Sequence, residues 1–326
     1  MARRQLKKSK LIILLLVLSG VAAIPLVGTQ IEEGPQGILY EVEGGQNTLY
    51  LFGTLHMGVE EMYPLAPEVS YAFKESDVLA LEINLEEIST REDLTEIGIY
   101  SPEDGKLSDV VTEKTFETLH DILWPYGIDN TTLDTFKPWY AESLISRMLL
   151  ENMEMRAGSG IEERLTDMAK DQHKNIIGLE GTEGQTRAYG MLSNTTQVRS
   201  LSKAIESFYN GTLENETRDL ISAWIEGDVD HFTEERRRMI EENETPSENE
   251  FTVALLDERD RKMADKIEEF LEDDSENTYF VAVGTLHLTG ENSIVEHLAD
   301  KDYDIRRVDD HSFFTRIKEI SSSFSS

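Results

Sequence analysis

The chain has 326 residues, 64 of them acidic against 31 basic, and a formal net charge of −33. Such a surface repels phosphate backbones and excludes a nucleic-acid partner from the expectations. A hydrophobic content of 39% argues against wholesale disorder, and the absence of cysteine removes disulfides, thiolate nucleophiles and Cys-ligated zinc.

All of the acid lies after residue 30. The imbalance suits a protein that works in high salt, where counterions screen self-repulsion; an ordinary acidic surface is the alternative. Arg3, Arg4, Lys7, Lys8 and Lys10 precede an apolar run over 11–18, followed by Ser19, Gly20, Ala22 and Ala23. This is the order of a signal peptide, with Val21-Ala22-Ala23 as its cleavage site. Read on to Val27, the apolar stretch has 17 residues, the short end of the roughly 17–25 that span a bilayer. Residues 1–30 are therefore read as a signal peptide or a retained signal anchor. In both cases the basic flank places the body outside the cytoplasm, secreted or in N-terminal contact with the membrane. No later segment is apolar enough to span.

Residues 31–37 read as a linker and 38–315 as the catalytic domain. Two runs, 38–42 and 48–52, flank Gly44-Gly45 and predict a hairpin. A helix is expected over 62–74, and DVLALEI at 77–83 reads as a buried strand. Residues 86–135 look helical with breaks at Ser101-Pro102 and Trp124-Pro125, and 138–154 follows as a helix with Pro138 in its first turn. Ser159-Gly160-Ile161-Glu162 reads as a capping box opening a helix through Lys170. NIIGL at 175–179 is a short strand ending at Glu180. Residues 197–244 are charged and helical, 245–249 form a loop, and 251–271 make a long helix with Leu255, Met263 and Ile267 on its apolar stripe. A strand at 279–283, a helix at 294–298 and a strand at 305–308 complete the domain, and 316–326 read as a disordered tail. Strands separated by helical stretches predict an α/β fold, a central mixed sheet flanked by helices. Five glycosylation triplets begin at Asn130, Asn194, Asn210, Asn215 and Asn243 and mark surface segments.

One tetrapeptide occurs twice. Gly53-Thr54-Leu55-His56 and Gly284-Thr285-Leu286-His287 each follow an apolar strand, 231 residues apart, and predict two pseudo-repeated strand-GTLH-helix units. Each glycine permits a turn that a side chain would obstruct. Each histidine then sits at a strand end, where α/β sheets open onto their ligand crevices. His120, His173, His231, His297 and His311 lack this context and read as surface or helical residues. Glu82 and Glu180 also terminate apolar strands, where a carboxylate is costly to desolvate unless paired or metal-bound.

These residues resemble the TraB/PrgY/GumN family, which includes the Tiki proteases. The likeness covers roughly 38–308. It rests on GTLH at 53–56, KPWYAESL at 137–144, GSGIEERL at 158–165, IIGLEGTEGQ at 176–185, LDERDRKMADKI at 256–267 and VAVGTLHLTGENSIVEHL at 281–298. The family's motif positions fall on His56, Glu82, Glu180, Glu258, Arg259 and His287. The resemblance implies a fold like the erythromycin esterase and ChaN group and a divalent-metal-dependent peptidase.

On that expectation His56 and His287, with Glu82 or Glu180, hold Zn, Mn or Co with an open position for water. Among Glu82, Glu180 and Glu258 a carboxylate takes the proton, and Arg259 stabilises an oxyanion or orients a carboxylate. The substrate is a peptide or a small molecule. A metal-independent, esterase-like hydrolase with a histidine base competes with this reading, as does a non-catalytic peptide- or haem-binding protein.

Overall fold

The computed structural model describes residues 34–308, except 57, 85–97, 154–159, 181–189, 191, 242–249 and 251. The expectations for the N-terminal segment, Ser159, the loop at 245–249, His311 and the tail lie outside the described residues.

Six strands form one mixed sheet in the order β4-β3-β5-β2-β1-β6, where β1 is Ile38–Glu43, β2 Thr48–Thr54, β3 Val78–Ile83, β4 Asn175–Glu180, β5 Thr278–Gly284 and β6 Asp304–Arg307. β4, β3, β5 and β2 run parallel, and β1 is antiparallel to both β2 and β6. The expected hairpin is the β1–β2 pair, with Tyr40 opposite Leu51.

Side-chain alternation along the strands supplies both faces of the sheet. Phe52, Leu79, Leu81, Phe280 and Ala282 point to one side. Leu51, Ala80, Val281 and Val283 point to the other. The helices over the first face are α1 (Pro67–Glu75), which supplies Val69, Ala72 and Phe73, then α6 (Ile161–Asp171), with Ile161, Leu165 and Ala169, and α8 (Thr212–Glu226), with Ala223 and Trp224. α9 (Val229–Glu241) adds Phe232 to that core. The opposite face is covered by α10 (Glu258–Glu272), through Met263, Ala264, Ile267 and Leu271, and α11 (Ile294–Ala299), through Ile294 and Leu298. A third core is wholly helical. It joins α2 (Leu107–Val110), α3 (Glu113–Leu123), α4 (Asn130–Leu133), α5 (Pro138–Asn152) and α7 (Asn194–Asn210) around Leu119, Leu133, Ile145 and Leu201.

Three local expectations shift. The helix expected from 62 begins only at Pro67, because Pro64 and Pro67 cannot sit in a helix interior; Glu60–Met62 is a separate 3₁₀ turn. The charged run after 197 breaks at Gly211 and Gly227, both left-handed, into three helices. The long helix before β5 opens with a π turn over Val253–Asp257 and then continues as α10. Among the described residues no helix is long and apolar enough to cross a membrane.

Candidate active site

The two GTLH segments end neighbouring parallel strands, but they are not equivalent. Thr54 pairs with Gly284, so the copies are displaced by one residue in the sheet. The first stays extended through Thr54, whereas the second winds at once into a 3₁₀ turn over Thr285–Leu288. Thr285 Oγ1 donates to the Thr54 carbonyl at 3.0 Å and ties the copies together. His56 is left open, its side chain 61% exposed, while His287 is buried.

Both rings nevertheless face one point. A methyl group placed on Gly284 would stand 3.1 Å from Glu82 Oε1, 3.5 Å from His287 Cδ2 and 3.7 Å from His56 Nε2. Glycine here leaves the space that the three side chains share. The backbone under His56 is as tight: a methyl on Gly160 would lie 2.4 Å from the His56 carbonyl oxygen.

Arg259 organises the acids. From the first turn of α10 its Nη2 donates to Glu82 Oε2 at 2.8 Å and to Glu180 Oε2 at 2.7 Å. Its Nε donates to Glu180 at 2.9 Å, and its Nη1 reaches the Leu255 carbonyl at 3.2 Å and His287 Nε2 at 3.3 Å. The five N–H donors of a guanidinium are thereby all directed at protein acceptors. Arg259, Glu82 and Glu180 have side chains only 7–8% exposed.

Burial opposes the charge of Glu82. The His287 and His56 rings, Arg259 and the Gly284 N–H overcome it and hold the carboxyl down at about 2. Burial likewise opposes the Arg259 charge, and Glu180 and Glu82 outweigh it, so its pKa is raised. His56 Nδ1 lies 2.9 Å from Glu162 Oε1, a carboxylate that lifts His56 to about 9. Burial opposes the Glu162 charge too, but His56 and Thr54 bonding to it keep its pKa lowered.

Behind His287, Nδ1 meets Asp260 Oδ1. Asp260 is fully buried and receives Arg236 Nη1 on its other oxygen at 2.6 Å. Of the sequence-predicted residues, the fold thus joins His56, Glu82, Glu180, Arg259 and His287, whereas Glu258 is exposed at the start of α10.

Sequence reasoning missed Glu162, Asp260, Arg236 and Thr54. The sequence pattern makes Glu162 half of a capping box. The N-cap of α6 is instead Gly160, with no side-chain cap bond, and Glu162 turns to Thr54 and His56. Nothing local marks Asp260 among the 64 acids of the chain.

Among the described residues, no three His, Asp or Glu side chains enclose a divalent cation as they stand. The donor chemistry fits one: His56 Nε2 and Glu82 Oε1 both border the space over Gly284, His287 Nε2 lies 3.6 Å from Glu82 Oε1, and each imidazole has its Nδ1 on a carboxylate, the arrangement that orients metal-bound histidines.

The model of the TraB/PrgY/gumN family matches residues 38–307, and the chain belongs to that family. It is 25% identical over 258 residues to an uncharacterized protein, YbaP, of Escherichia coli, covering 78% of this chain and 89% of that one. A metalloprotease TIKI homolog of Amphimedon queenslandica is 24% identical across 80% of this chain and 59% of its own length. Metalloprotease TIKI1 of Xenopus tropicalis is 22% identical across 78% and 58% respectively. No solved structure gives a significant match.

Proposed function

We propose that the protein is a divalent-metal-dependent hydrolase that cleaves peptide bonds outside the cytoplasm. The observation that carries this reading is the convergence of His56 Nε2, His287 and Glu82 Oε1 around Gly284 at the ends of adjacent parallel strands. Family membership and the two TIKI metalloproteases support the class. The basic-then-apolar N-terminal sequence supports the location.

His56, His287 and Glu82 are the residues that would hold the cation. When bound, it polarises a substrate carbonyl and lowers the pKa of its water. Glu82 is present as a carboxylate at any physiological pH, because its pKa is near 2. Glu180, with both oxygens on Arg259, orients the guanidinium. Arg259 in turn fixes Glu82, and since its donors are committed to protein groups it acts as a positioning residue. His56, the exposed member of the set, faces the incoming substrate.

The test is digestion of a peptide mixture by the cation-loaded protein, followed by mass spectrometry. Cleavage that stops with chelator and returns with Zn²⁺, Mn²⁺ or Co²⁺ supports the reading. Intact peptides under all conditions refute it. Cleavage indifferent to chelator would favour the metal-independent reading, for which the His56–Glu162 pair supplies a histidine base and its orienting carboxylate.

A further inference from the structure

His287 sits between groups whose chemistry leaves it one tautomer. On its Nδ1 side stands Asp260 Oδ1. The other oxygen of Asp260 accepts from Arg236 Nη1 at 2.6 Å, and the Arg236 and Asp260 side chains are both 0% exposed. An ionised carboxylate only accepts, so Nδ1 must carry the proton. On the Nε2 side stands Arg259 Nη1, 3.3 Å away, and a guanidinium only donates, so Nε2 must offer its lone pair. Glu82 Oε1, 3.6 Å from Nε2, is beyond hydrogen-bond reach and does not compete for a proton there. Arg236 also donates to the Leu286 carbonyl at 2.7 Å and to Asp257 at 3.0 Å. One buried cation therefore clamps both the acid that faces the ring and the backbone that carries it.

We propose that Asp260, fixed by Arg236, is the positioning residue that holds His287 as its Nδ1–H tautomer and so keeps a lone pair on Nε2, which accepts from Arg259 Nη1 in the cation-free protein. The use of that lone pair in catalysis rests on the hydrolase reading; the tautomer itself does not.

Asp260→Asn tests this with almost no change of shape. The amide has one oxygen for two donors. Arg236, a cation without an acceptor, keeps the oxygen. The amide NH₂ then faces His287 Nδ1, which must accept, and the proton moves to Nε2. The readout is ¹⁵N NMR of the histidine rings in the full, cation-free chain, with the His287 signals assigned by their loss in His287→Gln.

In the unsubstituted protein the expected spectrum has a protonated Nδ1 and an unprotonated Nε2, and Asp260→Asn reverses them. Asp257→Asn, which touches Arg236 but not the ring, is expected to keep Nδ1 protonated. Turnover of a cleaved peptide should fall on the order of 10²- to 10⁴-fold in kcat in Asp260→Asn, with little change in KM. An Nε2–H ring in the unsubstituted protein overturns the proposal even if Asp260→Asn does not fold. So does an Nδ1–H ring that persists in Asp260→Asn, or one lost equally in Asp257→Asn. Absence of peptide cleavage alongside the expected spectra would sink the hydrolase reading and leave this assignment standing.

Discussion

Glu82 stays ionised at 6% exposure because Arg259 and the Gly284 N–H donate to it and the His56 ring stands beside it. Removing the guanidinium should be far more damaging than losing a surface ion pair. Arg259→Met strands Glu82 and Glu180 in a dry site, and urea denaturation should report a loss of about 3–5 kcal/mol. Arg259→Lys should recover only part of it, since a point-like ammonium cannot span both carboxylates in fixed geometry. Equal stability of all three proteins would show that the ion pairs do not hold the strand ends together.

The pH dependences run in opposite directions for the two kinds of group. Glu82 is depressed from 4.5 to about 2, so its contribution to stability is complete above 4.5 and is lost as pH falls through about 2. His56 is raised from 6.5 to about 9, so its pairing with Glu162 stabilises fully below 6.5 and fades as pH rises through about 9. With the ring 61% exposed, solvent screening keeps that stability term small. The same proton opposes a cation. Affinity for a divalent ion should therefore climb with pH, up to about tenfold per unit, and level off near pH 9. Calorimetric titration at a series of pH values checks this, and a flat profile would mean that His56 is not a ligand.

At the scale of elements, the site depends on α6 lying directly against the loop after β2. Gly160→Ala would push a methyl into the His56 carbonyl, and backbone cannot yield as a flexible side chain does. The expected result is a stability loss of about 1–3 kcal/mol and a fall in kcat/KM of at least about tenfold, as the ring leaves its position. A denaturation midpoint and a peptide assay on the same preparation separate the two effects.

The elements also show what a sequence discloses. β2, β3 and β5 were legible because their aliphatic runs are buried on both faces. Glu82 was legible as a polar residue at the end of such a strand, His56 and His287 as polar residues just past two others, Glu180 as the end of the less buried β4, and Arg259 through its family motif. Glu162 and Asp260 were not singled out. They lie on charged helices among 64 acids, and nothing local separates a buried acid from a solvated one. Glu162 satisfied a capping pattern that the fold does not use, because Gly160 takes the cap position. Which acids turn inward was decided by the packing of α6 and α10 against opposite faces of the sheet. The paired GTLH segments predicted adjacency. The one-residue offset that buries one histidine and opens the other depends on sheet register, which the repeat does not encode.

For the whole molecule, a net charge of −33 spread over one chain stores self-repulsion that salt relieves. Between about 0.1 M and about 1 M salt the screening length falls from about 10 Å to about 3 Å. The thermal unfolding midpoint should rise across that range, as read by circular dichroism with KCl as the only variable. An unchanged or falling midpoint would show that the acids are already balanced by local pairing.

On the proposed reading, two strand ends far apart in sequence deliver His56, His287 and Glu82 to one divalent cation. Calorimetric titration of the metal-free chain with Zn²⁺ and Mn²⁺, run beside His56→Ala and His287→Gln, addresses it most directly. One saturable cation per chain, weakened at least about 100-fold by either substitution, is the predicted result. Undiminished binding in both variants, or none in the unsubstituted protein, would contradict it.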